Sequence, residues 1–257
     1  MKQYYDFKIE KIKDLSPEEI HLRKKNLELF YQIGFPNKND EDWKFSDLNS
    51  ILSKNFNNIA NNNFLPKEKN FKIIEEFEHN YISLFDGKIV SKDFSYEEKN
   101  KVLIDNFNYK DEPIFDNKNS LFILNNALST GGFSLEISKN YKLKKPLIIY
   151  NNFSTLLKET IVNYKNLIIL NENSELNLIN YINNSSRENF MVNTVENIKM
   201  KKNSSLNNIL INNSKCNGYF YKYIKCDLEK NSSLENYLIS SGLKFNKLDI
   251  EINLNEE

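Results

Sequence analysis

The chain is short of the residue types that most metal and nucleotide sites require. Among its 257 residues there are two cysteines and two histidines. Cys216 and Cys226 stand ten positions apart, and His21 and His79 both fall in the first third. A closed zinc site needs four ligands, usually in tight pairs, and no such grouping occurs. The two cysteines read as quiet thiols in strands, on different elements of one structural unit. A disulfide between them is not expected in a reducing compartment. His21, on a helix, and His79, near a strand start, read as surface residues rather than catalytic bases. Arg23 and Arg187 are the only arginines, which excludes an arginine-rich cleft. Neither GxxxxGK[ST] nor GxGxxG is present, and Gly131-Gly132 alone marks only a turn. No run reaches the roughly 18 apolar residues that span a bilayer. The opening MKQYYDFKIEKIKD has no apolar core of an export signal, so a cytoplasmic protein is expected. With 35 basic against 35 acidic residues, nothing draws the chain as a whole to nucleic acid or an anionic membrane. Lys142, Lys144 and Lys145 read as a solvated strand end.

What the chain does have is bulky apolar mass, with 14 Tyr and 18 Phe, ample for a core in one or two domains. Asn, Lys, Ile, Phe and Tyr are in excess, as in proteins of AT-rich genomes, so single asparagines carry little weight. Residues 16–33 read as a helix. Ser16 is the N-cap, Pro17 fits the first position, and Glu19 closes a capping box. Gly34 suits the C-terminal cap and Pro36 prevents continuation. Ile20, Leu27, Phe30 and Tyr31 form its apolar stripe. DLNSILSKNFNNIANNNFL reads as a short helix followed by a loop. FKIIEEF and NYISLFDGKIV read as short strands, the second folded at Asp86-Gly87. Residues 95–112 lack a clear period, with helix as the open reading.

The second half is repetitive. NENSELNLINYINN from Asn171, KKNSSLNNILINNS from Lys201 and EKNSSLENYLISSG from Glu229 superimpose, matching Leu176, Leu206 and Leu234. Each copy follows a second strand-like run, NLIIL at 166, VENIKM at 195 and YIKCDL at 223. LEISKNYKLKKPLIIY from Leu135 reads as a weaker earlier copy. Units this small cannot bury a face alone, but stacked units build a continuous core. The pattern predicts a coiled β-solenoid with Leu176, Ile179, Leu206, Ile209, Leu234 and Tyr237 in inward columns. A sandwich whose turns share a composition is the alternative. Solenoids can carry paired carboxylates for glycoside cleavage, and the candidates are Glu172, Glu175, Glu196, Asp227, Glu229 and Glu235. Most stand beside polar turns, where a charge faces water. A polysaccharide-active enzyme or a structural solenoid is therefore the alternative to a non-enzymatic scaffold.

GFPNKNDEDWKFSDL holds the only Trp, Trp43, among charges. It reads as an anchor onto the core or as a docking point. This stretch, through Gly34, Phe35, Pro36, Lys38, Glu41, Asp42, Trp43, Lys44 and Phe45, resembles the N-terminal signature of the SufD subunit family. GGFSLEISKNYKLKKPLIIY, with Ile137, Pro146 and Leu147, is similar to the segment leading into the SufB/SufD core, and NLIILNENSELNLI resembles a recurring coil. The resemblance implies a mainly β fold: an N-terminal helical region, a right-handed parallel β-helix and a C-terminal helical region. It implies a role in SUF iron–sulfur cluster assembly, with SufB-like and SufC-like ATPase partners and sulfur from a cysteine desulfurase. The cluster would be assembled on the complex, with no cofactor bound by this chain alone and no catalytic, cofactor-binding or metal residue assigned. The sequence stops at Glu257 after a strand-like run, so it resembles a family chain lacking the C-terminal helices. The expected division is a helical region at 1–70, a transition at 71–120 and an incomplete β-helix core at 121–257.

Overall fold

The computed structural model describes residues 9, 12, 15–55, 58–59, 73–109, 119–154, 157–182, 188–213 and 216–255. The α-helices among the described residues are α1 (Pro17–Ile33), α2 (Leu48–Asn55) and α3 (Ser120–Leu128), the last lying between the fourth and fifth strands. The strands are β1 (Asn58–Ile59), β2 (Asn80–Phe85), β3 (Lys88–Asp93), β4 (Val102–Asn106), β5 (Phe133–Ile137), β6 (Leu147–Asn152) and β7 (Thr160–Leu170). They continue with β8 (Glu175–Ile182), β9 (Phe190–Met200), β10 (Ser205–Asn213), β11 (Gly218–Leu228), β12 (Ser233–Ser241) and β13 (Phe245–Leu254). The chain is mainly β and winds into a parallel solenoid of about four turns.

Two sheets form its walls. The first runs β13-β11-β9-β7-β5-β4 and the second β12-β10-β8-β6-β2-β3. Each turn of the coil contributes one strand to each wall. Leu176 pairs with Leu206, and Leu206 with Leu234, so the three repeats stack in the register that their sequences share. β3 runs antiparallel to β2, and β4 antiparallel to β5, so both walls end at the first coil in a reversed edge strand.

The two walls differ in what covers them. Inside lies a core containing Leu135, Ile149, Val162, Ile168, Leu178, Val192, Ile198, Leu206 and Ile224. The outer face of the first wall carries Ile161, Met191, Val195, Tyr219, Tyr221 and Tyr223, packed in a second core with Leu27, Phe30 and Trp43 and with α3. Every residue of α3 is buried. Burial on both faces makes β7 and β9 near-continuous buried runs, as expected for a covered parallel sheet. β8 and β10 in the second wall alternate instead.

This alternation corrects part of the sequence reading. Leu176 and Leu206 point inward, each 1 % exposed, whereas Tyr237 is 52 % exposed. Ile179, Ile209 and Tyr237 form their own column, but on the outer face. A strand has a period of two, so a residue three positions from an inward leucine faces out. Other corrections are local. The described part of FKIIEEF, from Ile73, is not a strand, and the region 95–112 holds β4 rather than a helix. SLFILNNAL, read within the β-helix core, forms α3, capped by Asn119 through Leu121 N–H and Phe122 N–H at 3.0 Å each. The capping box of α1 is present as expected, and α2 matches the short helix after Trp43. Much of the loop expected after it, like Arg187, lies outside the described residues.

Candidate functional site

Three features separate this solenoid from a purely structural one: a polar patch in its lumen, an open last coil, and the Trp43 stretch.

The lumen patch comes from even-numbered positions of the first wall. Val162, Ile168, Val192, Ile198, Phe220 and Ile224 line the apolar interior, and strand parity sends Tyr164, Asn166, Thr194, Glu196, Lys222 and Cys226 into the same space. Glu196 is fully buried and receives Lys222 Nζ at 2.9 Å. Asn166 Nδ2 donates weakly to the same carboxylate oxygen at 3.5 Å. Glu196 Oε1 and Asn166 Oδ1 have no hydrogen-bond partner among the described residues. Tyr164 donates across the lumen to Asn151 Oδ1 at 3.1 Å. On the opposite wall Asn180 donates to Asn208 at 3.1 Å, and Asn208 to Asn236 at 2.9 Å.

Burial, with Glu196 and Asp227 adding, pushes the Cys226 thiol up to about 12, against a smaller opposing effect of Lys222. At neutral pH Cys226 is therefore a thiol, a poor nucleophile and a poor metal ligand. Cys216 is also buried in the interior, but it precedes β11 and lies outside a strand, contrary to the sequence reading. No group of three or more His, Cys, Asp or Glu among the described residues is placed to hold a metal.

The carboxylates expected from sequence are otherwise dispersed. Glu172 pairs with Lys139, Glu175 with Lys142 at 2.7 Å, and Glu229 with Lys201 at 2.7 Å. Glu235 accepts from Tyr237 and Asp227 from Asn253. Only Glu196 enters the lumen. Reading polar turns as solvated was right for most of these residues and missed Glu196, which sits mid-strand in VENIKM; its position parity relative to Val192 and Ile198 was the available signal. The three lysines at 142–145 are engaged with Glu175, Glu98 and Glu78. His21 is exposed, whereas His79 is buried, its ring joining Phe77 O and Tyr150 Oη at 2.9 Å each. The expectation of a surface histidine fails there because the chain before β2 folds over Tyr150.

Trp43 ends a single 3-10 turn, Glu41–Trp43, and is 6 % exposed. Its ring stacks on Phe245 of β13 and lies 5.8 Å from Tyr221 of β11, with Lys247 Nζ 5.0 Å from its centroid. The stretch is therefore pinned to the last coils of the first wall. Phe45, two residues on, is 92 % exposed. Beyond β12 and β13 no further strand pairs among the described residues, and Ile239, Ile252 and Leu254 are exposed there.

Comparison with known families now bears on this arrangement. Residues 1–149 match the SufBD protein N-terminal region, and residues 153–257 match the SufBD core domain of SUF system FeS cluster assembly. The chain belongs to the SufB/SufD family. No curated protein matches it. The SufBD core region covers the repeated coils from Phe153 onward, including the whole lumen patch except Asn151, while the SufBD N-terminal region ends within β6 and carries the Trp43 stretch. Membership assigns the chain a role in SUF iron–sulfur cluster assembly. No described helix is long and apolar enough to cross a membrane.

Proposed function

We propose that the chain is a SufD-like, non-catalytic scaffold subunit of a cytoplasmic iron–sulfur assembly complex. It pairs with a SufB-like subunit and a SufC-like ABC ATPase, and sulfur comes from a cysteine desulfurase system. The nascent cluster is cargo of the complex, and no resident cofactor is assigned to this chain alone. The observation that carries the proposal is the match of both SufBD regions along the chain. The SufD-like assignment rests on the Gly34–Phe45 stretch. A scaffold role agrees with a site in which Cys226 is held protonated and Glu196 is already paired with Lys222. Co-expression of the tagged chain with a SufB-like and a SufC-like protein tests the proposal. Retention of both in fixed ratio is expected. A folded chain, verified by circular dichroism, that retains neither overturns it.

A further inference from the structure

The side of the molecule away from the lumen holds a cleft of about 770 Å³ between α1, the start of β3 and the segments 106–109 and 129–132. That volume falls in the range of small-molecule sites. Arg23 lines it and is only 5 % exposed. Its Nη1 donates to the carbonyls of Ala127 at 3.1 Å and Ser129 at 2.9 Å, at the C-terminal end of α3. The guanidinium lies 4.5 Å from the centroid of the Tyr109 ring. Its Nε has no partner, and it forms no ion pair among the described residues.

A buried cation without an anionic partner is costly. Glu19, also on the cleft wall, favours the charged guanidinium from a distance, but its carboxylate is held by the Ser16 N–H at 2.8 Å in the capping box and makes no ion pair with Arg23. Lys88 adds a second positive charge to the lining, with Asp86 of the adjoining turn acting on it, and Thr130 a hydroxyl. Two carbonyls and an aromatic face hold the guanidinium in place but supply no negative charge. We propose that this cleft binds a small organic anion bearing a carboxylate or phosphate, with Arg23 as its buried counter-charge and Lys88 on its wall.

Calorimetric titration of the full chain with citrate and with inorganic phosphate, against KCl at matched ionic strength, tests this. Saturable binding of either probe is expected. Citrate alone identifies a carboxylate ligand, and phosphate alone a phosphate ligand. Lys88→Gln, which leaves the α3 carbonyl contacts intact, should weaken binding tenfold or more. Arg23→Lys should keep the charge but lose the bidentate fork and also bind more weakly. The proposal is overturned if neither probe gives saturable heat up to about 10 mM, a range that reaches weak millimolar binding. It is equally overturned if folded Lys88→Gln binds as the wild type does.

Discussion

Asparagine shows how composition misleads at the scale of one residue. Asn140, Asn173, Asn203 and Asn231 all adopt left-handed backbone, with φ between 58° and 63° where Asn100 is included and 58–59° for these four. Each is the third residue of the same four-residue turn in successive coils. Their side chains form a ladder, Asn173 donating to Asn140 at 2.7 Å, Asn203 to Asn173 at 3.0 Å and Asn231 to Asn203 at 3.2 Å. Asparagine tolerates this backbone and also bonds along the stack. The genomic bias supplies many asparagines, but these four have a shared conformation and a shared partner set. Asn203→Ala should cost about 1–2 kcal/mol, from left-handed strain and lost hydrogen bonds, and Asn203→Gly less, as read from urea melts. Asp86 gives a second test. It sits in the β2–β3 turn at φ 49°, 4 % exposed, and its carboxylate accepts Ser154 N–H at 2.9 Å. Burial raises its pKa from 3.8 to about 6, against the smaller effects of that bond and of Lys88. The folded state therefore holds this proton more tightly than the unfolded chain. Its stabilising effect is complete below pH 3.8 and is lost as pH rises through 6. Asp86→Asn keeps the turn and the acceptor but removes the ionisation. It should raise stability at pH 7.5 by up to about 3 kcal/mol and leave pH 3.5 almost unchanged. Equal gains at both pH values would contradict the assignment. Trp43→Ala should lower the melting temperature, with a loss of about 3–5 kcal/mol, since the ring fills the contact between the N-terminal region and β11–β13.

At the scale of elements, the repeat was legible because three copies of one pattern align without gaps, and the structure stacks them residue for residue. The helix α1 was legible because its caps are local chemistry. The facing of strand residues was only half legible. The leucine columns were correct, but Ile179, Ile209 and Tyr237 were placed inside because they are apolar, although an odd spacing puts them outside. The lumen patch was missed for the complementary reason: Glu196 and Lys222 are charged, and only their parity sends them inward. α3 was hidden because all nine of its residues are buried, Ser120, Asn125 and Asn126 included, so polarity marks no exposed face from which to read a helical period. The faces make a direct comparison. Leu206→Ala should destabilise by about 2–5 kcal/mol. Ile209→Ala, on the half-buried outer face three residues away, should cost about 1 kcal/mol or less, scaling with the smaller area it removes from water. Urea unfolding of the two variants measures the difference, and equal losses would mean that the alternation in β10 is wrong.

At the scale of the whole molecule, the solenoid has unlike ends. At the first coil, the edge strands β3 and β4 run against the parallel sheets. At the last, the edge strands β12 and β13 continue the parallel register of the coils. Ile252 is 50 % exposed although its register partner Cys226 in the coil below is fully buried, so the lumen's apolar column continues into open solvent. An exposed parallel edge with apolar side chains is a template for another strand. The isolated chain should therefore self-associate as its concentration rises, through backbone pairing at this end. Multi-angle light scattering across a dilution series measures the effect. A lysine introduced by Ile252→Lys adds a charge at the mouth of the lumen and should hold the chain monomeric, with its circular dichroism unchanged. The opposite end offers the control, because the ladder of its edge strand β3 is bulged and the strand carries lysines, features that resist pairing: Lys92→Glu, which keeps a charge there, should leave association as in the wild type. A wild-type chain that stays monomeric throughout the series would show that the open coil is not a pairing edge.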